Sequence, residues 1–154
     1  MTDQECLVCA LVDMGFNQQM IEVHALAVPL VGYAGDQRAL TANIVIRRQH
    51  IGPSSNDLGF VSTNTGYHAV VSNYDTSQFG TAWISRLCAR YDVHWNAKKD
   101  RLEAAELRRV EEERKRIVEA QRTAIHERAK KMGYSVVEKR EGESLRLVLV
   151  KRTY

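Results

Sequence analysis

The feature that most constrains this chain is residues 97–133, AKKDRLEAAELRRVEEERKRIVEAQRTAIHERAKKMG, which contain no proline and no interior glycine. Most of these residues are strong helix formers, and acid-to-base pairs such as Glu111 with Lys115 and Glu112 with Arg116 stand four positions apart. The stretch predicts a single helix. At about 1.5 Å per residue it would be roughly 50 Å long, more than a domain of this size can cover. We therefore expect part of the helix to project from the domain or to bind a partner.

The apolar residues of this helix form a narrow stripe. They recur close to a heptad, at Leu107, Val110, Ile117, Val118, Ala124 and Ile125. The polar residues Arg114, Gln121 and Arg128 interrupt the seam, and a strong autonomous coiled coil would carry more Leu and Ile. Two interpretations stay open: a solvated helix or helical hairpin that packs one stripe on its own domain, and a contact with another subunit. The candidate contact residues for the second are Leu107, Val110 and Ile117.

The rest of the chain has the pattern of a small α+β protein. Helical apolar spacing covers residues 3–14 and 79–91, and the second of these places Phe79, Trp83, Leu87 and Tyr91 four apart. Strand patterns cover residues 20–31, 39–48 and 58–74, with a turn at residues 64–66, and residues 134–152 predict a terminal hairpin.

We therefore predict an α+β fold for this chain. It has an antiparallel sheet with a short N-terminal helix, a second packing helix, and a long charged helix before a C-terminal β-hairpin. The chain of 154 residues fits one domain, 1–154, in which residues 97–133 are a helical extension inserted before the hairpin.

Alternation along the strands predicts the buried face of the sheet. Residues 42, 44 and 46 fall on one face of their strand, and Asn43, Val45 and Arg47 on the other. The positions expected to be buried are Ala42, Ile44, Ile46, Leu58, Phe60, Val70, Val136, Leu147 and Leu149.

The stretch GYAGDQR, residues 32–38, separates two strand patterns. A phosphate-binding loop needs its glycines between a strand and a helix N-terminus, and here a strand pattern follows. The simpler interpretation is a β connection in which Gly32 and Gly35 supply unusual backbone angles and Asp36 closes a turn. The functional alternative is a binding loop that presents candidate residues to a partner. These are Tyr33, Asp36, Gln37 and Arg38.

No catalytic or metal-binding constellation emerges from the spacing of the reactive residues. Cys6 and Cys9 form a CxxC, but no second CxxC completes a tetrahedral zinc site, so we expect buried thiols and no metal or other cofactor. No cysteine stands in a pattern that pairs it with a histidine. Asn56 and Asp57 precede a strand, where turn chemistry explains them. The sequence identifies no catalytic residue.

Three observations bear on location. The odd number of cysteines, three, fits a reducing compartment. The N-terminus is acidic before its apolar residues, where a secretory signal would be basic, and no apolar run is long enough to cross a bilayer. We expect a cytoplasmic protein without a membrane partner.

Several blocks of the chain resemble one family in their order. The blocks are EVHALAVPLVGYAGDQRALTANIVIRRQHIG, SNDLGF, GYHAVVSNYD, the Trp83–His94 segment, and AKKMGYSVVEKREGESLRLVLVKR. Together they resemble the plastid hypothetical reading frame thirty-five family, also called domain of unknown function twelve fifty-seven, of cyanobacteria, other bacteria and phages. The resemblance covers roughly residues 5–95 and 126–152.

This resemblance implies a small α+β domain without an established reaction or cofactor. The resemblance also implies association with an AAA-type ATPase. The chain would then be a component of a larger assembly. Two features depart from the family: the strand that usually opens it is missing, and the charged segment after His94 is longer than usual. This longer segment is where the chain would be specialised.

The favoured function is a non-enzymatic protein-interaction or adaptor component of a larger assembly. It would contact another protein chain, or a second copy of itself, through the helix of residues 97–133. The alternative is weak nucleic-acid binding through the strand that ends in Arg47 and Arg48, together with bases of the long helix. These bases are Arg108, Arg109, Arg114, Lys115 and Arg116. Acids interleave with them, and the net charge is only +3, so much of the field that attracts a phosphate backbone is cancelled.

Overall fold

The computed structural model describes residues 1–141 and 144–151, with side chains described for residues 1–139 and 146–151. It forms two compact units, Met1–Asp100 and Arg101–Tyr154. The single domain expected from the length stays a prediction. Within the described ranges, no helix combines the length and the apolar character needed to cross a membrane.

The fold class predicted above is confirmed. The four strands β1–β4 form an antiparallel sheet in chain order, and β5 and β6 form a separate two-stranded sheet. The bounds in chain order are α1 Gln4–Asp13, β1 Ile21–Val31, β2 Gln37–Ile46, β3 Leu58–Thr63, β4 Gly66–Val70, α2 Thr76–Phe79, α3 Thr81–Lys131, β5 Tyr134–Glu141 and β6 Ser144–Lys151.

Helix α3 is one continuous helix of 51 residues, where the sequence indicated two separate helical stretches. No proline or glycine stands between Thr81 and Lys131, so nothing in the sequence interrupts the backbone hydrogen bonds. The helix begins after Gly80, whose extended backbone separates it from α2. It ends before Gly133, which has a φ of +78° and permits the left-handed turn that closes many helices.

Helix α1 is tied to the first part of α3 by polar contacts. The Asp3 carboxylate caps α1 by accepting a hydrogen bond from the backbone N–H of Cys6 at 3.0 Å. The Lys98 ammonium lies 2.7 Å from Asp3 and 2.8 Å from Glu5, and these hydrogen bonds raise the pKa of Lys98 above its usual range. The Tyr91 hydroxyl accepts a hydrogen bond from the Asp3 N–H at 2.9 Å. Residues 91–98 of α3 therefore belong to the first unit.

The core of the first unit lies between the sheet and the helices α1 and α3. Phe60, Ile44 and Ile46 of the sheet are fully buried against Leu7 of α1 and Leu87 of α3. The predicted burial of residues 42, 44, 46, 58 and 60 is confirmed, whereas Val70 is only half-buried.

The predicted division of β2 into two faces is partly wrong. Ala42 packs with Leu30 and Val45 in a second cluster, separate from the one that holds Ile44 and Ile46. The pairing of β1 with β2 shifts register between Val23 and Val28, so strict alternation does not hold across this point.

The second unit contains the hairpin of β5 and β6, in which Val136 pairs with Leu149. The predicted burial of its residues fails: Val136 and Leu147 are half-buried, and Leu149 is exposed. The physical reason is that the hairpin forms its own two-stranded sheet instead of extending the four-stranded one. Its side chains contact the last turns of α3, where Arg122 and His126 bind Glu138 and Ala129 is buried.

Candidate functional site

Asn56, which the sequence indicated only as a turn residue, joins three segments of the first unit. Its side-chain Oδ1 accepts a hydrogen bond from the backbone N–H of Tyr33 at 3.1 Å. Its Nδ2 donates to Ser72 Oγ at 2.9 Å and to Asp75 Oδ2 at 3.1 Å. One buried amide thereby links the β1–β2 loop, the segment before β3 and the segment after β4.

Asp57 is a second buried connection beside it. Its carboxylate accepts hydrogen bonds from the backbone N–H groups of Val31 and Arg48, each at 2.8 Å. It also forms an ion pair with Arg47 Nη1 at 2.8 Å. Because a buried carboxylate is costly unless it is paired and hydrogen-bonded, these contacts make the charge tolerable. Arg47 also binds Glu22 at 2.7 Å, and this contact lowers the pKa of Glu22.

Asp75 is the second acidic member of the cluster. Burial alone would raise the pKa of Asp75, but hydrogen bonds from Ser72 and Asn56 outweigh it and hold the pKa below its usual range. The Asp75 side chain is therefore a carboxylate at neutral pH, and it accepts hydrogen bonds from Ser72 and Asn56. Every buried side-chain nitrogen and oxygen atom in the described part of the chain has a hydrogen-bond partner. We call Asn56, Asp57, Ser72 and Asp75 the brace, because the polar side-chain groups of this cluster already have hydrogen-bond partners within the chain.

The brace supports the GYAGDQR stretch, whose first five residues connect β1 to β2. The Gly32 N–H donates to the Asp36 carbonyl at 2.8 Å, and the Gly35 N–H donates to the Gly32 carbonyl at 3.0 Å. Gly35 supplies a left-handed angle, with φ of +87°. Gly32 does not; it is needed for space, because a Cβ there would lie 2.5 Å from Asp36 Oδ1. The stretch is a β connection, and the expected role of Gly32 is corrected.

A cleft of about 760 Å³ opens beside this connection. Tyr33 and Tyr74 stand at it with 65% and 68% of their surface exposed. The lining residues carry one cation and no carboxylate: Tyr33, Arg38, Leu40, Ser54, Asn56, Val71, Ser72, Asn73 and Tyr74. Of the four loop candidates, the structure brings Tyr33 and Arg38 to the cleft. It does not bring Asp36 and Gln37 there.

The stripe on α3 is the second candidate surface. Leu107, Val110 and Ile117 are 69%, 56% and 50% exposed. Val118 and Ile125 are also exposed, and a shallow groove of about 590 Å³ runs beside Val110, Ile117 and Val118. The stripe therefore leaves its largest apolar side chains in solvent, which is unusual for residues that ordinarily lie inside proteins.

The cations proposed for nucleic-acid binding are largely engaged within the chain. Arg47 is held by two carboxylates, and Arg48 donates a hydrogen bond to the Tyr33 carbonyl. On α3, the pairs within single helical turns are Arg109 with Glu106, Lys115 with Glu111 and Arg116 with Glu113. Arg47 and Arg48 belong to the first unit, and the bases of α3 belong to the second.

The cysteines offer no metal centre in the described residues, where no group of three His, Cys, Asp or Glu side chains converges. Cys6 lies in the core, and burial, followed by a hydrogen bond with Asp3, raises the pKa of its thiol to about 11. It is a protonated, apolar core residue at neutral pH.

Fold and sites together define an α+β protein with a braced cleft and a long helix that carries an exposed apolar stripe. No protein family, curated protein or solved structure matches the chain in the comparisons with known proteins. Sequence reasoning interpreted Asn56 and Asp57 only as turn residues, and it missed Ser72 and Asp75. Their available signal was Ser72-x-x-Asp75, a spacing at which local side-chain bonds commonly form.

Proposed function

We propose that this chain is a non-enzymatic protein-interaction module that contacts another protein chain through the stripe on α3. The observation that supports this most strongly is the exposure of Leu107, Val110 and Ile117 along one side of a helix. Burying a side chain of this size contributes about 1.5–3 kcal/mol, so a few of them can sustain an interface.

The hairpin does not use this stripe. Arg122, His126 and Ala129, which contact the hairpin or are buried, stand four and three residues apart on one face of α3. At about 100° per residue, Val110, Ile117 and Ala124 lie about two-fifths of a turn away from that face, and the other three residues of the stripe lie about a sixth of a turn away. With the hairpin in place, the five larger side chains of the stripe are each at least 42% exposed. The apolar stripe is therefore available while the hairpin is in place.

The polar cluster supports a structural role over a catalytic one. Asn56, Asp57 and Asp75 are all buried and bound to groups of the chain itself. A general acid or base must reach the proton of a substrate, and these groups are occupied by the brace. Membership in an AAA-ATPase-associated assembly follows from the family resemblance alone and belongs to the same proposal.

Nucleic-acid binding has weaker support as the alternative. Ion pairs within α3 reduce the field around Arg109, Lys115 and Arg116. Any binding of duplex DNA should then be weak and lost at moderate salt.

The test is affinity purification of the tagged full chain from its native cell, with the double variant Val110→Asp, Ile117→Asp compared with wild type. Leu26→Asp is the matched control, because it makes the same kind of change at another exposed apolar residue, 83% exposed. We expect the double variant to lose the co-purifying chain, another protein or an untagged copy, and the control to retain it. Equal recovery with both variants would contradict the proposal.

A further inference from the structure

We propose that the chain seated on the α3 stripe is a second copy of this protein, and that the two 101–131 segments pair in antiparallel orientation. The inference rests on the proposed function, since it names the partner of the same stripe. Two observations support the antiparallel pairing: the distribution of charge along the helix and the positions of its apolar residues.

The charge of α3 changes sign along its length. Residues 101–113 contain five acids and three bases, whereas residues 114–131 contain seven bases and two acids. An antiparallel pair lays the acid-rich half of each copy on the base-rich half of the other. A parallel pair would set like against like in both halves. Because like charges across a helix interface are destabilising and opposite charges set partner orientation, the antiparallel arrangement is favoured.

The apolar residues are arranged around the same midpoint. The change of sign falls between Glu113 and Arg114, and Val110 and Ile117 lie at equal distances on either side of it. An antiparallel pair centred there brings Val110 of one copy to the level of Ile117 of the other. The two most central apolar residues of the stripe therefore meet each other.

The polar residue at the centre of the seam is compatible with this arrangement. Arg114 lies beside Val110 and Ile117 at the shallow groove, and its long apolar stem can cover their side chains while the guanidinium stays in water. The acids near the midpoint, Glu111 and Glu113, already pair with Lys115 and Arg116 of the same helix. The negative charges of Glu111 and Glu113 reduce the repulsion between Arg114 of one copy and Arg114 of the other.

The first measurement is the mass of the full chain in solution by analytical ultracentrifugation over a range of concentrations. We expect a dimer whose dissociation constant rises about tenfold or more in Val110→Asp, Ile117→Asp, and stays at the wild-type value in Leu26→Asp. We also expect added salt to weaken the dimer, because it screens attraction between opposite halves. A parallel dimer would be strengthened, which would overturn the orientation.

The second measurement is cross-linking of single-cysteine additions with a short bismaleimide, with the wild-type chain as background for Cys6, Cys9 and Cys88. Ala124→Cys alone should give no additional dimer, because the two positions lie far apart in an antiparallel pair. A mixture of Glu103→Cys and Ala124→Cys should give a cross-linked dimer. These two positions lie at equal distances on either side of the midpoint, so an antiparallel pair brings them to the same level. A dimer from Ala124→Cys alone would overturn the inference.

The outcomes separate the inference from the proposed function. A monomer at every concentration, combined with loss of a different co-purifying protein in Val110→Asp, Ile117→Asp, would overturn self-pairing and leave the interaction module standing. A monomer whose co-purifying proteins are the same in both variants would overturn both.

Discussion

Asn56 and Ser72 are joined by a hydrogen bond of 2.9 Å between Nδ2 and Oγ, although 16 residues separate them in the chain. This bond connects the segment before β3 to the segment after β4, and through Tyr33 the same amide reaches the β1–β2 loop. The walls of the cleft are therefore positioned by one buried side chain. The first prediction tests its contribution.

Replacing Asn56 by Ala should lower the free energy of unfolding by about 1–3 kcal/mol, because Asp75 and the Tyr33 N–H lose a buried partner. Urea denaturation measures the change. Asn73→Ala is the matched control, since Asn73 is an exposed neighbour in the same cleft. Equal stability of the two variants would contradict the brace.

The contribution of Asp75 should depend on pH. The folded state lowers the pKa of Asp75, so its stabilisation is complete above the unfolded pKa of about 4 and is lost as the pH falls through the lower folded value. The difference in unfolding free energy between wild type and Asp75→Asn should be largest near neutral pH and shrink in acid. Glu112→Gln at an exposed position serves as control. A difference that does not change with pH would argue against this assignment.

Replacing Phe60 by Ala should cost about 3–5 kcal/mol, because the ring is fully buried in the main core. Tyr74→Ala removes an exposed ring and should change stability by no more than about 0.5 kcal/mol. Thermal or urea unfolding of both variants measures the difference. A small loss in Phe60→Ala would mean that the core does not depend on this side chain.

Cys6 should resist alkylation in the folded protein. Burial raises the pKa of its thiol to about 11, so little thiolate exists near neutral pH and access is blocked. Mass spectrometry after brief iodoacetamide treatment should find Cys6 unmodified without denaturant and modified with it. The half-buried Cys9 and Cys88 are internal references. Rapid labelling of Cys6 in the native protein would contradict its place in the core.

Deleting residues 103–120 should remove self-association and leave the first unit folded. The deletion takes out about five helical turns and so preserves the phase of α3. It keeps Lys98, which binds Asp3 and Glu5, and Arg122, which binds Glu138. A wider cut over residues 98–123 would lose both contacts. Urea unfolding and ultracentrifugation of the deleted chain test this, and a collapse of stability would show that the stripe serves the chain's own core.

Local pattern was sufficient for most elements of this fold, but it missed α2 and the break at Gly80, because the helix predicted over residues 79–91 includes that glycine. The helix α1, the strand segments, the turn before Gly66 and the helical nature of residues 97–131 all follow from periodicity, turn residues and helix propensity. Even the joining of two predicted helices into α3 follows from the missing proline and glycine between them. The burial of Ile44, Ile46, Leu58 and Phe60 was predictable for the same reason, because alternation relates neighbouring positions of one strand.

The sequence by itself determined which segments are helix or strand, since propensity and period are properties of neighbouring residues. Only the tertiary structure decided that Ala42 leaves the face of Ile44, that the hairpin of β5 and β6 forms its own sheet, and which side of α3 the hairpin covers. It alone brought Asn56 to Ser72, Asp75 and Tyr33. Register shifts, sheet membership and long-range hydrogen bonds depend on contacts between segments distant in the chain, and no local pattern encodes these contacts.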